Sequence, residues 1–227
     1  MKSLTLTFII CLLIPISGWS QTDSTAEANT HFFIGLEILK PLTWILDGSS
    51  YVVEPEITYQ RKHLLWKLSV GHSSIDKQIY HELIYSSKGY FIKAGMGMEL
   101  DYFSKHNSQN SIIYGVNLIF SSNDEKGIVD FNGDYFEDYS HRIDQHNNSK
   151  GVEVYFTNRT LISEKAFISF SARIAYIVNA HQQEEFPVYY APGFGVVNLF
   201  GSENQDNNNQ FSGGLSIKIG YRFKSLK

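Results

Sequence analysis

The sequence has one cysteine and no excess of basic residues, and each of these shortages excludes a class of protein. Its 227 residues include one Cys, five Pro and 19% charged residues, with a formal net charge of −4. One cysteine forms no intrachain disulfide and no cysteine metal cluster. Without a basic domain, the chain lacks the electrostatic footprint of a nucleic-acid-binding protein. Aromatic residues are instead abundant, with 14 Tyr, 16 Phe and 3 Trp.

The N-terminus has the three parts of an export signal. Lys2 is followed by the mostly apolar run Leu4–Ile16, and small residues precede a cleavage site before Gln21. This order is typical of a secretory signal peptide. The run is too short for a membrane anchor, because thirteen residues at about 1.5 Å each cross about 20 Å of a roughly 30 Å hydrocarbon core. The sequence therefore predicts a cleaved signal peptide over residues 1–20 and a flexible polar lead-in over residues 21–30.

From His31 onward, apolar and polar residues alternate with the period of β-strands. The last run is the clearest, with one apolar face formed by Phe211, Gly213, Leu215, Ile217, Ile219, Tyr221 and Phe223. Seven earlier runs follow the same rule, over residues 32–38, 51–60, 64–71, 90–102, 112–121, 152–159 and 168–178. The pattern predicts eight strands in a single β-barrel domain over residues 31–227.

The connections between these runs are sorted by length. Those after the second, fourth and sixth runs have about three, nine and four residues, whereas those after the third, fifth and seventh have about 17, 30 and 32. Short turns at one end and long loops at the other are typical of outer-membrane barrels. The sequence thus predicts an all-β fold, an eight-stranded antiparallel up-and-down membrane β-barrel with short periplasmic turns and long outer loops.

Alternation alone leaves a second fold open, a periplasmic lipocalin-like barrel that binds a small apolar ligand. That barrel would have an apolar interior and would expose Glu54, Lys93, Arg173 and Lys218 to water. Run length, aromatic residues at the run ends and small residues on the polar face favour the membrane barrel. Pro55 and Asn158 interrupt the apolar face, and each predicts a bulge or a shift of register.

The polar face carries charges of both signs, and these charges allow two interpretations of the lumen. One is a charged conduit, and the other is a structural network that plugs a narrow lumen. Eight strands leave space for side chains and little else, and buried charges require partners. We therefore predict structural ion pairs in the lumen among Glu54, Glu56, Lys67, Lys93, Glu99, Glu153, Arg159, Arg173 and Lys218.

The last long loop is unusual because Phe186–Val197 is rich in aromatic and apolar residues. Such a patch marks either a contact surface or a packed lid over the barrel mouth. The contact interpretation names Phe186, Tyr189, Tyr190 and Phe194 as candidates.

No residue is predicted to be catalytic, to bind a cofactor or to hold a metal. The acidic segment Asp130–Asp138 has its glycine at position four, whereas a calcium loop of the EF-hand type has it at position six. His72-Ser73-Ser74 suggests an alternative function, an outer-membrane lipid hydrolase, but a serine site needs geometry that a dipeptide cannot supply. The expected function is non-enzymatic, structural or in surface contacts.

Two sets of residues resemble known families. The run that ends in Tyr221-Arg222-Phe223 is similar to the closing strand read by the bacterial barrel-assembly machinery. Gly35–Pro41, Tyr85–Tyr90 and Tyr190–Gly195 resemble an uncharacterised domain-of-unknown-function family of predicted Bacteroidota outer-membrane β-barrels. The resemblance implies a barrel in the cell outer membrane, with membrane lipid and the assembly machinery as partners. It implies no activity, no cofactor and no particular extracellular partner.

Overall fold

The barrel domain accounts for most of what the structure describes. The structure is a computed structural model, and it describes residues 30–39, 50–80, 83–100, 110–131, 139–180, 190–196 and 210–224. The predicted signal peptide and nearly all of the predicted lead-in lie outside these residues. No helix in the described part of the chain has the length and apolar character needed to cross a membrane.

Antiparallel strands make up almost all of the described chain. They are β1 (Thr30–Glu37), β2 (Ser50–Val53), β3 (Pro55–Arg61), β4 (Leu64–Tyr80), β5 (Leu83–Leu100), β6 (Asn110–Phe131), β7 (Tyr139–Leu161), β8 (Ala166–Ala180), β9 (Tyr190–Ala191), β10 (Gly195–Val196) and β11 (Gln210–Lys224). β2 and β3 are two segments of one barrel strand, and β9 pairs only with β10.

Each barrel strand pairs with its neighbour in sequence, and β11 returns to pair with β1. The predicted eight-stranded antiparallel barrel is therefore confirmed. Two ends can be distinguished. We call the end with the β3–β4 and β7–β8 turns the turn end, and the opposite end the loop end.

Four strands are much longer than the sequence pattern predicts. β4, β5, β6 and β7 have 17, 18, 22 and 23 residues, so the predicted loops at 73–89 and 122–151 are largely strand. Periodicity missed them because polar residues occupy both faces there. On β6, for example, buried Asn123 lies beside exposed Asp124. Period two is visible only where the two faces differ in polarity.

The two faces of the barrel are opposite in character to those of a soluble barrel. Along β5, Tyr90 and Ile92 are 67% and 42% exposed, whereas Phe91 and Lys93 are 4% and 2% exposed. The interior holds charges, since the exposed fractions of Glu54, Lys93, Arg173 and Lys218 are 3%, 2%, 9% and 5%. The lipocalin-like alternative predicted these four side chains in water and is wrong.

Neither Pro55 nor Asn158 shifts the strand register, so the predicted irregularities are wrong. β2 and β3 meet β4 in one register, with Val53 opposite His72 and Glu56 opposite Ser69. Pro55 only interrupts the ladder, because proline has no N–H to donate. Asn158 lies in regular pairing on both sides, and the irregularity of β7 occurs at Lys150/Gly151.

Apolar side chains fill the interior above and below the buried charges. Towards the turn end, Leu65, Ile113 and Tyr155 form one cluster. Towards the loop end, a second cluster joins strand residues to the β9–β10 hairpin and consists of Ile119, Ala175, Ile177, Ala191 and Phe194. Glu153 and the side chains that form ion pairs with it lie between these two clusters.

Candidate functional site

Glu153 on β7 is the centre of the buried charges. Its Oε2 lies 3.1 Å from Lys93 Nζ and accepts a hydrogen bond of 2.8 Å from Arg173 Nη1. Its Oε1 accepts a hydrogen bond of 2.7 Å from Asn117 Nδ2. Both carboxylate oxygens are therefore satisfied, as burial of a charge requires.

Glu54 and Glu56 extend the contacts across the lumen. Glu54 Oε1 lies 3.5 Å from Lys93 Nζ and 3.7 Å from Lys218 Nζ. Glu56 Oε2 lies 3.0 Å from Lys67 Nζ and accepts a hydrogen bond from Lys218 Nζ. One continuous set of ion pairs results, which we call the lumen network: Glu54, Glu56, Lys67, Lys93, Glu153, Arg173 and Lys218.

The lumen network contains three carboxylates and four cations, so its formal charge is +1. Lys67 has a further favourable contact, because its Nζ lies 4.1 Å from the centre of the Tyr155 ring. A cation over an aromatic face is stabilised by the ring quadrupole. Removal of any carboxylate would leave the remaining cations in larger excess.

Glu99 and Arg159 lie outside the lumen network, near the turn end. Gln60 Nε2 donates a hydrogen bond to Glu99 Oε2, and Arg159 Nη1 donates one of 3.3 Å to Gln60 Oε1. The Arg159 guanidinium also lies 4.0 Å from the centre of the Phe33 ring. The structure thus brings seven of the nine predicted charges together and places the other two around one glutamine.

Sequence reasoning missed several polar residues of the interior. Glu37 is buried, and its Oε1 accepts hydrogen bonds from the backbone N–H groups of Leu39 and Ile217, at 3.1 and 3.2 Å. Asn117 and Gln60 connect charges, as described above. All three lie on the inward phase of a predicted run, and the alternation assigns Gln60 and Asn117 to the polar face, although it gives them no hydrogen-bond partner.

A further buried carboxylate, Glu125, lies beyond the exposed apolar face, towards the loop end. It accepts hydrogen bonds from the hydroxyl of Tyr85 and from the amides of Gln145 and Asn147, the last two at 2.8 and 2.5 Å. Burial raises the pKa of Glu125, and these hydrogen bonds partly oppose the shift. No sequence signal indicated Glu125, because it fell within a predicted loop.

The β9–β10 hairpin lies inside the loop end. Tyr190 N–H donates to Tyr85 Oη at 3.2 Å, and Ser212 Oγ donates to the Phe194 carbonyl at 2.9 Å. Arg173 Nη1 donates to the Gly193 carbonyl at 2.6 Å, which joins the hairpin to the lumen network. The hairpin is therefore held by three barrel strands: β5, β8 and β11.

Two of the predicted contact residues belong to this hairpin. Tyr190 and Phe194 are 8% and 1% exposed, so the prediction that they form an exposed contact surface is wrong. Their aromatic area is more favourably buried over the barrel interior than left in water, which favours the lid interpretation. Phe186 and Tyr189 lie outside the described residues.

The structure also tests the other sequence motifs. Within the described ranges, no group of three His, Cys, Asp or Glu residues could hold a metal ion. Most of the acidic segment Asp130–Asp138 lies outside these ranges. The His72-Ser73 pair forms no hydrolase site, because Ser73 is fully buried on the inner face while the His72 ring contacts the Tyr90 ring outside, with ring centres 4.6 Å apart.

One family model matches almost the whole chain. It is described as a domain of unknown function, DUF6048, and it covers residues 1–216. The chain belongs to the DUF6048 family. No curated protein matches this DUF6048 chain in sequence.

Several solved structures are similar to this DUF6048 barrel. Neisserial surface protein A is 13% identical, with 86% of this chain and 96% of that chain covered and a TM-score of 0.42. Ail, the attachment invasion locus protein of Yersinia pestis, is 11% identical, with 87% and 100% covered and a TM-score of 0.39. CarO of Acinetobacter baumannii is 10% identical, with 90% and 100% covered and a TM-score of 0.44. None of these likenesses transfers a ligand or an activity to this chain.

Proposed function

We propose that this DUF6048 chain is an outer-membrane β-barrel whose lumen is closed by the lumen network and the β9–β10 hairpin. Its role in the membrane is then structural or in surface contacts, and not the conduction of solutes. The observation that carries the proposal is the belt of exposed apolar side chains around a closed barrel with a charged interior. We call this outward-facing surface the apolar belt.

The height of the apolar belt fits an outer membrane. On β5 it runs from Tyr90 to Leu100. Ten residue steps of about 3.3 Å, in a strand tilted by about 40°, rise about 25 Å, and barrels of this class have an apolar band of about 25 Å. Beyond Tyr90 and Phe120 the next outward-facing residues of these strands are Lys88 and Ser122. Since Tyr90 is paired with Ser122, the belt ends on the two strands within one step of outward-facing residues.

Aromatic side chains mark both edges of the belt. At the loop end, His72 lies between Tyr51 and Tyr90, with ring centres 5.4 and 4.6 Å away. At the turn end, the aromatic pairs are Phe32–Phe223, Tyr221–Phe223 and Tyr59–Trp66. Aromatic girdles at both interfaces are typical of membrane barrels.

Closure of the lumen is supported by what fills it. An eight-stranded barrel has room for interior side chains but not for a wide channel. Here the interior contains the lumen network between two apolar clusters, and the hairpin is hydrogen-bonded over the loop end. Opening a path would require buried ion pairs to separate, which is strongly unfavourable.

The export route and partners belong to the same proposal. The signal peptide over residues 1–20 would direct secretion, and the strand Phe211–Phe223 would be read by the barrel-assembly machinery. β11 completes the barrel by pairing with β1, so late recognition of this strand would couple targeting to closure. Outer-membrane lipid would surround the belt, and the resemblance to Bacteroidota families points to that phylum as the source.

A charge placed on the belt tests the membrane location. Leu118→Arg introduces a cation at mid-belt, where it should lower the free energy of unfolding by about 2–4 kcal/mol in lipid vesicles. Ile84→Arg is the matched control, because Ile84 is an exposed apolar residue beyond the belt, where a charge meets water. Heat-modifiable migration on gels measures the folded fraction. Equal stability of the two variants, or recovery of the chain as a soluble periplasmic monomer, would contradict the membrane location.

Conductance tests closure separately. Planar-bilayer recordings of the purified barrel should show no steady conductance. A large, steady conductance would refute the closed lumen and leave the membrane location intact.

A further inference from the structure

Three polar side chains on the outer surface of the barrel form a hydrogen-bonded series. Ser122 Oγ lies 3.2 Å from His146 Nε2, and His146 Nδ1 lies 2.7 Å from Asp124 Oδ1. This is the order of contacts in a Ser-His-Asp triad, in which the imidazole accepts the serine proton and the carboxylate orients the imidazole.

The β6–β7 ladder positions all three residues. Ser122 and Asp124 are two residues apart on β6 and therefore face the same side. His146 on β7 lies directly opposite Asp124, while Asn148 lies directly opposite Ser122. The imidazole thus reaches diagonally from Asp124 to Ser122. A site built on paired strands is held more rigidly than one built on loops.

Ser122 lies at the loop-end edge of the apolar belt, next to a groove. It is the first outward-facing residue after Phe120 on β6, and Tyr90 is its partner on β5. A shallow, largely open groove on the barrel wall is lined by Ser122, Phe120, Ile92 and Val70, and its apolar floor matches a fatty-acyl chain. Lys150 also lines this groove, and its ammonium group suits an anionic headgroup.

We propose that Ser122, His146 and Asp124 hydrolyse fatty-acyl esters of lipids in the outer leaflet. The proposal rests on the membrane location proposed above, because only there do the groove and Ser122 meet lipid. The acyl chain would occupy the groove, and its ester would lie at the level of Ser122. This activity would be added to the structural or surface-contact role proposed above, and it departs from the non-enzymatic function expected from the sequence.

The chemical steps balance without a further reactant other than water. His146 Nε2 takes the Ser122 Oγ proton as Oγ bonds to the ester carbonyl carbon, and the C–O bond to the alcohol then breaks as His146 returns the proton to the leaving oxygen. Water, deprotonated by His146, next attacks the acyl-serine. The fatty acid leaves and Ser122 regains its proton.

The donor to the oxyanion must be a side chain, because strand N–H groups on β6 and β7 are used by the ladder. Asn148 is the candidate, since it lies opposite Ser122 and lines the same groove. Asp124 acts through His146 and is a positioning residue.

The same hairpin provides a matched control. Lys126 and Asp144, one step further from the belt on the same face, form an ion pair of 3.7 Å, with side chains 54% and 57% exposed. No serine is hydrogen-bonded to this pair among the described residues. Asp144→Asn therefore changes charge and polarity beside the triad without touching its members.

The test uses the full chain, refolded in detergent micelles. A fluorophosphonate probe should label Ser122, identified by peptide mass spectrometry, and p-nitrophenyl palmitate should release p-nitrophenol. Ser122→Ala and His146→Ala should each lower the rate at least about 100-fold. Asp124→Asn should lower kcat with little change in KM, and Asp144→Asn should leave both unchanged. Phosphatidylethanolamine and lipopolysaccharide, tested separately for released fatty acid, distinguish the two sources of the ester.

Several results would overturn the proposal: no labelling of Ser122, no fatty acid released from either lipid, or full activity in Ser122→Ala. Heat-modifiable migration of each variant confirms that the barrel has folded. A barrel that fractionates with the outer membrane but hydrolyses neither lipid refutes the hydrolase alone. A barrel absent from the membrane refutes the location instead.

Discussion

Removing the central carboxylate of the lumen network should destabilise the barrel more than removing any one cation. In Glu153→Gln, Arg173 loses the carboxylate at 2.8 Å and keeps the hydrogen bond to the Gly193 carbonyl, and Lys93 keeps Glu54 at 3.5 Å. The formal charge of the network rises from +1 to +2, because four cations then face two carboxylates. Breaking a buried ion pair in this way typically costs about 3–5 kcal/mol. Urea titration in lipid vesicles, followed by gel mobility, measures the loss.

Arg173→Met should be milder, at about 1.5–3 kcal/mol, because Glu153 keeps Lys93 and Asn117 while one charged hydrogen-bond partner is lost. The double variant should lose less than the sum of the singles, since neither charge is then left without the other. Asp144→Asn, in the exposed pair with Lys126, should change stability by less than about 1 kcal/mol. A Glu153→Gln barrel as stable as the Asp144→Asn barrel would refute the network as a source of stability.

Two further predictions concern the loop end. Burial raises the pKa of Glu125 above its usual 4.5, so the native state binds this proton more tightly than the unfolded chain, and stability falls as the pH rises above about 4.5. Glu125→Gln should therefore stabilise the barrel at pH 8, with a gain that vanishes near pH 4; urea titrations at both pH values that show no difference would contradict this. Phe194→Ala should cost about 3–5 kcal/mol by opening a cavity against Ile119 and Ile177, and unchanged heat stability would contradict the lid.

The sequence predicted the part of the fold around the apolar belt well, because the two faces differ most sharply in polarity there. In β5, Tyr90, Ile92 and Met96 face outward, while Phe91 and Lys93 face inward. The phase of the alternation fixed which charges share the interior. It could not show which of them touch, because pairing across the lumen depends on strand order, tilt and side-chain length together.

The missed parts lie where that contrast disappears. Beyond the belt, polar side chains occupy both the outer and the inner face, so β6 and β7 carry no hydrophobic period there. Ser122, Asp124 and His146 all fell within one predicted loop for this reason. Their approach depends on a strand register that places His146 opposite Asp124, and no local spacing of residues reports it.

The inner face of the same hairpin explains how an exposed triad is held in place. His146 lies between Gln145 and Asn147, whose amides both donate to the buried Glu125 carboxylate. On β6, Asn123 lies between Ser122 and Asp124, and its amide donates to Ser87 Oγ at 2.9 Å. Inward hydrogen bonds therefore restrain the backbone on both sides of the His146 imidazole and between Ser122 and Asp124. If the triad hydrolyses lipid as proposed, the contacts that fill the interior would also hold the three side chains in a fixed position on the outer face.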